Sequence, residues 1–157
     1  CKKTKTMTFN DLKSKYPDRE VAFPDDQRKP NKEDLDSIIH KYDCKFPPSF
    51  VDFQLEYCLE ISIGDLAWDG FGWANKDLDP YMNLEEIVKD YKDCGYPNYL
   101  SPFKQDNGDF WCFDSRIQSD EEFPIVIWDH NSNDIEKDEN YQWKSFIEWL
   151  DSTMEEE

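Results

Sequence analysis

Residues 101–129 constrain the fold of this chain more than any other stretch. Two aromatic-rich runs flank the dipeptide Asn107-Gly108, which is typical of a type I′ turn because both central residues of that turn need positive φ. After a polar break the chain resumes with the apolar run 125–128. A strand without polar members is covered on both faces, so the stretch predicts a three-strand antiparallel core on which the helices pack.

Helical spacing of apolar residues appears in several other segments. Residues 31–42 follow the pattern with Asn31 as N-cap, and a second helix begins at Pro47-Pro48 and is apolar on more than one side. Asn83 begins a third helix, with Glu86 placed for a capping box. The final helix carries an apolar stripe, and a further short helix is possible before Pro17. The residues of that stripe are Trp143, Phe146, Ile147, Leu150 and Met154.

Sequential hairpins with helices set apart from them favour the α+β class. We expect a single domain with a twisted, mainly antiparallel sheet and helices packed on it. Residues 1–30 are predicted to form an N-terminal arm because they hold three prolines and no sustained periodicity. Residues 31–154 are predicted to form the α+β domain, and residues 155–157 an acidic tail.

Charge is the strongest signal in the composition. The chain has 36 Asp and Glu against 18 Lys and Arg, a net charge of −18, and residues 30–157 alone carry −21. Such a surface repels nucleic acid and anionic lipid and accelerates the encounter with a cationic partner. The alternative explanation is simple solubility or a salt-adapted proteome.

The cysteines favour a reducing compartment. There are five, an odd number, without CxxC spacing, and Cys58 and Cys112 fall in apolar patterns typical of small buried residues. No apolar run reaches the length of a membrane helix. We therefore expect a cytoplasmic protein, with a lipid anchor on Cys1 as the alternative.

Four stretches in order resemble the SUKH superfamily, which includes bacterial toxin-immunity proteins and the fungal regulator of cell-wall assembly. Residues 46–50 (FPPSF) are similar to its helix start, and residues 100–114 (LSPFKQDNGDFWCFD) to its hairpin. Residues 124–130 (PIVIWDH) resemble its following strand, and residues 146–150 (FIEWL) its closing helix. The chain departs from the family pattern near Gly64, where an Asn-Gly-Gly sequence is common.

The resemblance implies an α+β fold and, in bacteria, a non-enzymatic role in neutralising a cognate toxin delivered to neighbouring cells. It implies no catalytic residues and no cofactor. An interaction or scaffold domain in a regulatory assembly, like the fungal relatives, is the alternative function.

Two groups of residues carry the remaining possibilities for chemistry. Residues 129–134 place oxygen ligands at alternate positions, but the sixth position of this loop is Asp134 where a calcium loop needs Gly. His130 with Asp106, Asp109 or Asp114 is the candidate hydrolase site, although no nucleophile motif accompanies it. We therefore predict a polar turn, no metal and no enzyme.

The predicted partner-binding surface combines carboxylates with aromatic residues, which steer and anchor a cationic partner respectively. Its members are Asp65, Trp68, Asp69, Trp73, Asp77, Asp79 and Tyr81. The alternative is that the tryptophans belong to the core and the aspartates are solvated turn residues.

Overall fold

The computed structural model describes residues 6–18, 21–23, 28–61, 63 and 70–155. Within these ranges the α-helices are α1 (Phe9–Lys15), α2 (Lys32–Tyr42), α3 (Pro48–Leu55), α4 (Leu84–Asp93) and α5 (Phe146–Glu155). Short 3-10 helices lie at Tyr57–Leu59, Pro80–Met82 and Glu139–Tyr141. None of the described helices is long and apolar enough to cross a membrane.

The strands form one antiparallel sheet in chain order, β1-β2-β3-β4. They are β1 (Leu100–Asp106), β2 (Asp109–Asp114), β3 (Ile125–Asp129) and β4 (Asp134–Ile135). Asn107 and Gly108, between β1 and β2, have φ values of 51° and 87°, as a type I′ turn requires. The predicted hairpin and the α+β class are confirmed, and β4 adds a short strand where a polar loop was expected.

The larger core lies between one face of the sheet and the helices α1, α2, α3 and α5, and one side of α4 also contributes to it. Phe50 and Phe53 on α3 are fully buried, and the Phe50 ring lies 5.2 Å from the rings of Phe113 and Phe146. Aromatic pairs at this spacing add to the free energy of simple burial. The prediction of a central second helix is confirmed.

The smaller core lies on the opposite face of the sheet, under α4. Ile87 and Tyr91 of α4 pack there against Phe110 and Trp128, while the alternate residues of β2 and β3 face the larger core. The strand β3 is therefore covered on both faces, as its apolar run predicted.

The N-terminal segment packs into the larger core, so the predicted division of the chain at residue 31 does not match the packing. Thr8 forms a capping box that begins α1, and Leu12 on this helix is fully buried. The Phe9 ring stacks on Tyr57 at 4.3 Å, and the Tyr16 hydroxyl donates to Asp151 at 2.7 Å. The possible helix before Pro17 is confirmed, and it belongs to the folded unit.

The last helix begins three residues later than its predicted stripe. Trp143 is extended and exchanges two backbone hydrogen bonds with Ile125, of 2.8 and 3.1 Å. Because β3 recruits Trp143 in this way, α5 begins at Phe146.

Candidate functional site

Among the members of the predicted partner surface that the structure describes, the exposed ones lie on one loop, residues 76–83, which we call the acidic loop. Asp77, Asp79 and Tyr81 are exposed on it, and the side chain of Tyr81 is 56% accessible to solvent. Leu78 and Met82 are buried between them and anchor the loop to the core. This alternation presents two carboxylates and a phenol ring to solvent on a segment tied down from below.

Hydrogen bonds fix the shape of the acidic loop. The buried Asn83 donates from Nδ2 to the Leu78 carbonyl at 3.4 Å, and its own Oδ1 accepts from the Glu85 N–H at 3.0 Å. Asn83 therefore caps α4, although the bond goes to the second helical residue and not to Glu86. The Asp77 N–H donates to the Asn75 side chain at 2.9 Å. An acidic loop held this way loses little conformational entropy when a partner binds.

The start of α2 lies against the acidic loop and adds carboxylates to it. Asp34 accepts from the Lys76 N–H at 2.8 Å. Glu85, in the first turn of α4, lies 3.4 Å from both the Lys41 ammonium and the Tyr42 hydroxyl. Asp34 lies in the first turn of α2 and Glu85 in the first turn of α4, so the positive end of its own helix dipole stabilises each carboxylate.

The prediction that Trp73 belongs to the partner-binding surface is wrong, because its side chain is fully buried in the larger core. Its ring lies 4.5 Å from Phe71 and 4.7 Å from Phe23. Gln54 on α3 reaches the same segment, donating to the Gly72 carbonyl at 2.8 Å and accepting from the Ala74 N–H at 3.0 Å. The aromatic-and-glycine pattern here thus marks a buried strand-like segment.

Three other members of that predicted surface, Asp65, Trp68 and Asp69, lie outside the described residues. Gly64, where the chain departs from the SUKH pattern, does so too, as does Cys1.

His130 pairs with Asp109, one of the three carboxylates proposed for it. Asp109 Oδ1 lies 2.7 Å from His130 Nδ1 and accepts the backbone N–H of His130 at 3.0 Å. Asp106 is exposed at the end of β1, whereas Asp114 is buried and forms an ion pair with Arg116 at 2.9 Å. The histidine thus joins one aspartate at the turn end of the hairpin.

Asp129 completes this cluster, which sequence reasoning had not assembled. Its carboxylate lies within 4.8 Å of the Asp109 and His130 ligand atoms, since β2 and β3 are paired in register here. Its Oδ1 also accepts from the Asn131 N–H at 2.9 Å. Two carboxylates and an imidazole could hold a cation, but hydrogen bonds of the turn account for the arrangement.

The described thiols behave as apolar groups where they are buried. Burial raises the pKa of Cys44 to about 12 and that of Cys58 to about 11, so both stay protonated at neutral pH. Cys58 and Cys112 are buried, as predicted, and Cys94 is exposed.

The comparisons with known proteins agree with this architecture. The family model SUKH_5, described as SMI1-KNR4 cell-wall, matches residues 8–155. The chain belongs to this family. The predicted SUKH resemblance is confirmed, and the match begins at residue 8, so it includes α1 as well as the segment from residue 31 onward.

A solved crystal structure shows a similar fold. The crystal structure of a protein from Pseudomonas syringae pv. tomato is similar over 90% of this chain and 95% of that one. The TM-score is 0.62 and the identity is 17%, so this likeness concerns the fold. Among curated proteins, no sequence matches this SUKH chain significantly.

Proposed function

We propose that this SUKH protein is a non-enzymatic immunity protein that binds and neutralises a cationic protein toxin in the cytoplasm. Membership of a family that includes toxin-immunity proteins supports this role. The single observation that carries it is the net charge of −18, which suits a basic partner such as a nuclease domain. A nuclease needs Lys and Arg to hold phosphates, so an acidic protein competes for the same groups.

In this proposal the acidic loop makes direct contact with the toxin. Asp77 and Asp79 pair with Lys or Arg of the toxin, and Tyr81 supplies an aromatic anchor beside them. Long-range attraction speeds the encounter, while the close charge pairs slow dissociation. Neutralisation then follows from steric cover of the toxin's cationic groove.

The genes next to the gene for this chain are first searched for a secreted toxin, and its toxin domain is then used in the binding test. Calorimetry compares the wild type with the double variant Asp77→Lys and Asp79→Lys. We expect the affinity to fall by about tenfold or more, since like charges then oppose one another at the contact. In cells that express the toxin domain, co-expression of the wild type should restore growth, and co-expression of the double variant should restore it less well.

A matched control places the same change of charge at the other end of α4. Asp90 and Asp93 are exposed there, and Asp90→Lys with Asp93→Lys should change the affinity by no more than about threefold. Equal losses in the two double variants would remove the acidic loop from the contact. No binding by the wild type would remove the proposed function itself.

The second candidate function is an interaction domain in a regulatory assembly, which the cell-wall description of the matched family favours. It would be supported if the toxin domain does not bind and if deletion of the gene alters growth in the absence of any toxin.

A further inference from the structure

A groove of about 720 Å³ lies where the start of α5, the turn 115–124 and the residues before α1 meet. Its apolar lining comes from Met7, Ile117, Pro124 and Ile147. Ile117 is 60% exposed, so its apolar surface is open to a partner at this groove. A cavity of this size suits several side chains of a polypeptide, since sites for drug-sized ligands span about 300–1,000 Å³.

Carboxylates surround this apolar lining. Asp120 and Glu148 are exposed at the groove, and neither carboxylate has a partner among the residues that the structure describes. Asp151 also lines the groove, but Lys15 neutralises it at 2.8 Å. Lys144 is the one cation in the described lining, so the groove keeps a negative charge.

Glu122 also lines the groove and connects its turn to α3. It is half-buried and accepts a hydrogen bond from Ser49 on α3 at 2.9 Å. Burial raises the pKa of this carboxyl above its usual range. Its backbone exchanges two hydrogen bonds with Ser119, of 2.9 and 3.0 Å, around a turn in which Asp120 has positive φ. These hydrogen bonds fix the shape of the turn that forms one wall of the groove and join this turn to α3.

We propose that this groove is a docking site for a cationic protein segment that carries an apolar anchor. The anchor side chain lies against Ile117 and Ile147, and flanking Lys or Arg pair with Asp120 and Glu148. The charge of the groove selects against a second copy of this chain, since two chains of −18 repel each other. We assign this segment to the toxin, which would then contact the chain at the groove as well as at the acidic loop. This assignment rests on the proposed function.

The first experiment uses a short capped peptide of alternating Lys and Leu, titrated into the isotope-labelled full chain. We expect amide shifts concentrated at residues 117–124 and 144–151. The same peptide with Glu in place of Lys should produce none. Shifts spread over every acidic face, or equal binding of the Glu peptide, would overturn the proposal.

Variants locate the two parts of the site. The double variant Asp120→Asn and Glu148→Gln keeps the turn geometry and should lower the affinity for the peptide about fivefold. The variant Ile117→Ser should lower this affinity by a similar factor. The matched control, Asp90→Asn with Asp93→Asn, removes the same charge from the far end of α4 and should change the affinity for the peptide by less than about twofold. If both double variants lowered the affinity for the peptide equally, the attraction would be a general one between charges, and the proposal that the groove is a docking site would be wrong.

The toxin domain then separates this inference from the proposed function. If the peptide maps to the groove and the toxin domain does not bind, the proposed function fails and the docking site stands. If the toxin domain binds the wild type and the Asp120→Asn, Glu148→Gln variant equally well, the function stands and the groove is not its contact. Weaker binding of the toxin by this variant supports both.

Discussion

Gly70 and Gly95 both have backbone torsions in the left-handed region, with φ of 79° and 74°. They differ in what surrounds them. A Cβ on Gly70 would lie 2.1 Å from the Gln105 carbonyl oxygen, whereas nothing lies within 4 Å of a Cβ on Gly95. Gly70 also accepts a hydrogen bond from the Gln105 N–H at 3.1 Å, which joins its segment to β1. Gly70 thus permits both a torsion and a close approach of two backbones.

This difference predicts unequal costs for the same substitution. Gly95→Ala should lower the free energy of unfolding by about 1–2 kcal/mol, the cost of the left-handed torsion alone. Gly70→Ala should cost about 1–3 kcal/mol more, since the backbone of β1 must also move. Urea unfolding followed by tryptophan fluorescence measures both. If the two variants lost the same free energy of unfolding, the close approach of Gly70 to the Gln105 carbonyl would add no steric cost to the substitution.

At the scale of elements, α1 tests where the folded unit begins. Leu12 on α1 is fully buried, so Leu12→Ala should lower the free energy of unfolding by about 2–5 kcal/mol. Ser14 lies exposed on the same helix, and Ser14→Ala should change this free energy by less than about 0.5 kcal/mol. Thermal unfolding by circular dichroism compares the two. If Leu12→Ala lowered the free energy of unfolding as little as the control does, α1 would be an arm that the folded unit does not need.

Local signals predicted the elements whose causes are local. The dipeptide Asn107-Gly108 determines the hairpin through its own torsions, and Asn31 caps α2 through a bond to Asp34, three residues away. The placement of α1 was missed because its partners, Tyr57 and Asp151, are distant in the chain. The spacing of Phe9, Leu12 and Tyr16 indicates a short helix but does not show which part of the chain this helix packs against.

The candidate site was less predictable for the same reason. Glycines beside aromatics occur in both exposed and buried segments, and the contacts of the Trp73 ring with Phe71 and Phe23 show that Trp73 faces inward. Asp120 and Glu148 lie at one groove although they come from a turn and from α5. A charge count predicts that a cationic partner is favoured, but the fold decides where the charges meet.

For the whole molecule, the excess of carboxylates outweighs its ion pairs. Several Lys and Arg are already used in surface pairs with carboxylates, such as Lys13 with Glu60 and Lys32 with Asp36. Exposed pairs of this kind contribute only about 0–1 kcal/mol each. The chain has twice as many acidic as basic residues, so the repulsion among its carboxylates exceeds the stabilising free energy of these ion pairs.

Salt should therefore stabilise this protein. Raising sodium chloride from about 0.01 M to about 0.15 M shortens the Debye length from about 30 Å to about 8 Å and screens the repulsion among carboxylates. We expect the free energy of unfolding to rise by an amount on the order of 1 kcal/mol, the scale of a few surface charge interactions. Chemical unfolding in urea, which adds no ions, measures this change.

Tetramethylammonium chloride at the same ionic strength separates screening from specific binding. Its bulky cation cannot be coordinated by carboxylates, so screening alone predicts the same gain in stability with either salt. A gain with sodium that tetramethylammonium fails to reproduce would indicate a bound cation, and the cluster of Asp109, Asp129 and His130 is where we would look for it. A loss of stability with both salts would show instead that the ion pairs outweigh the repulsion, because screening weakens attraction and repulsion alike.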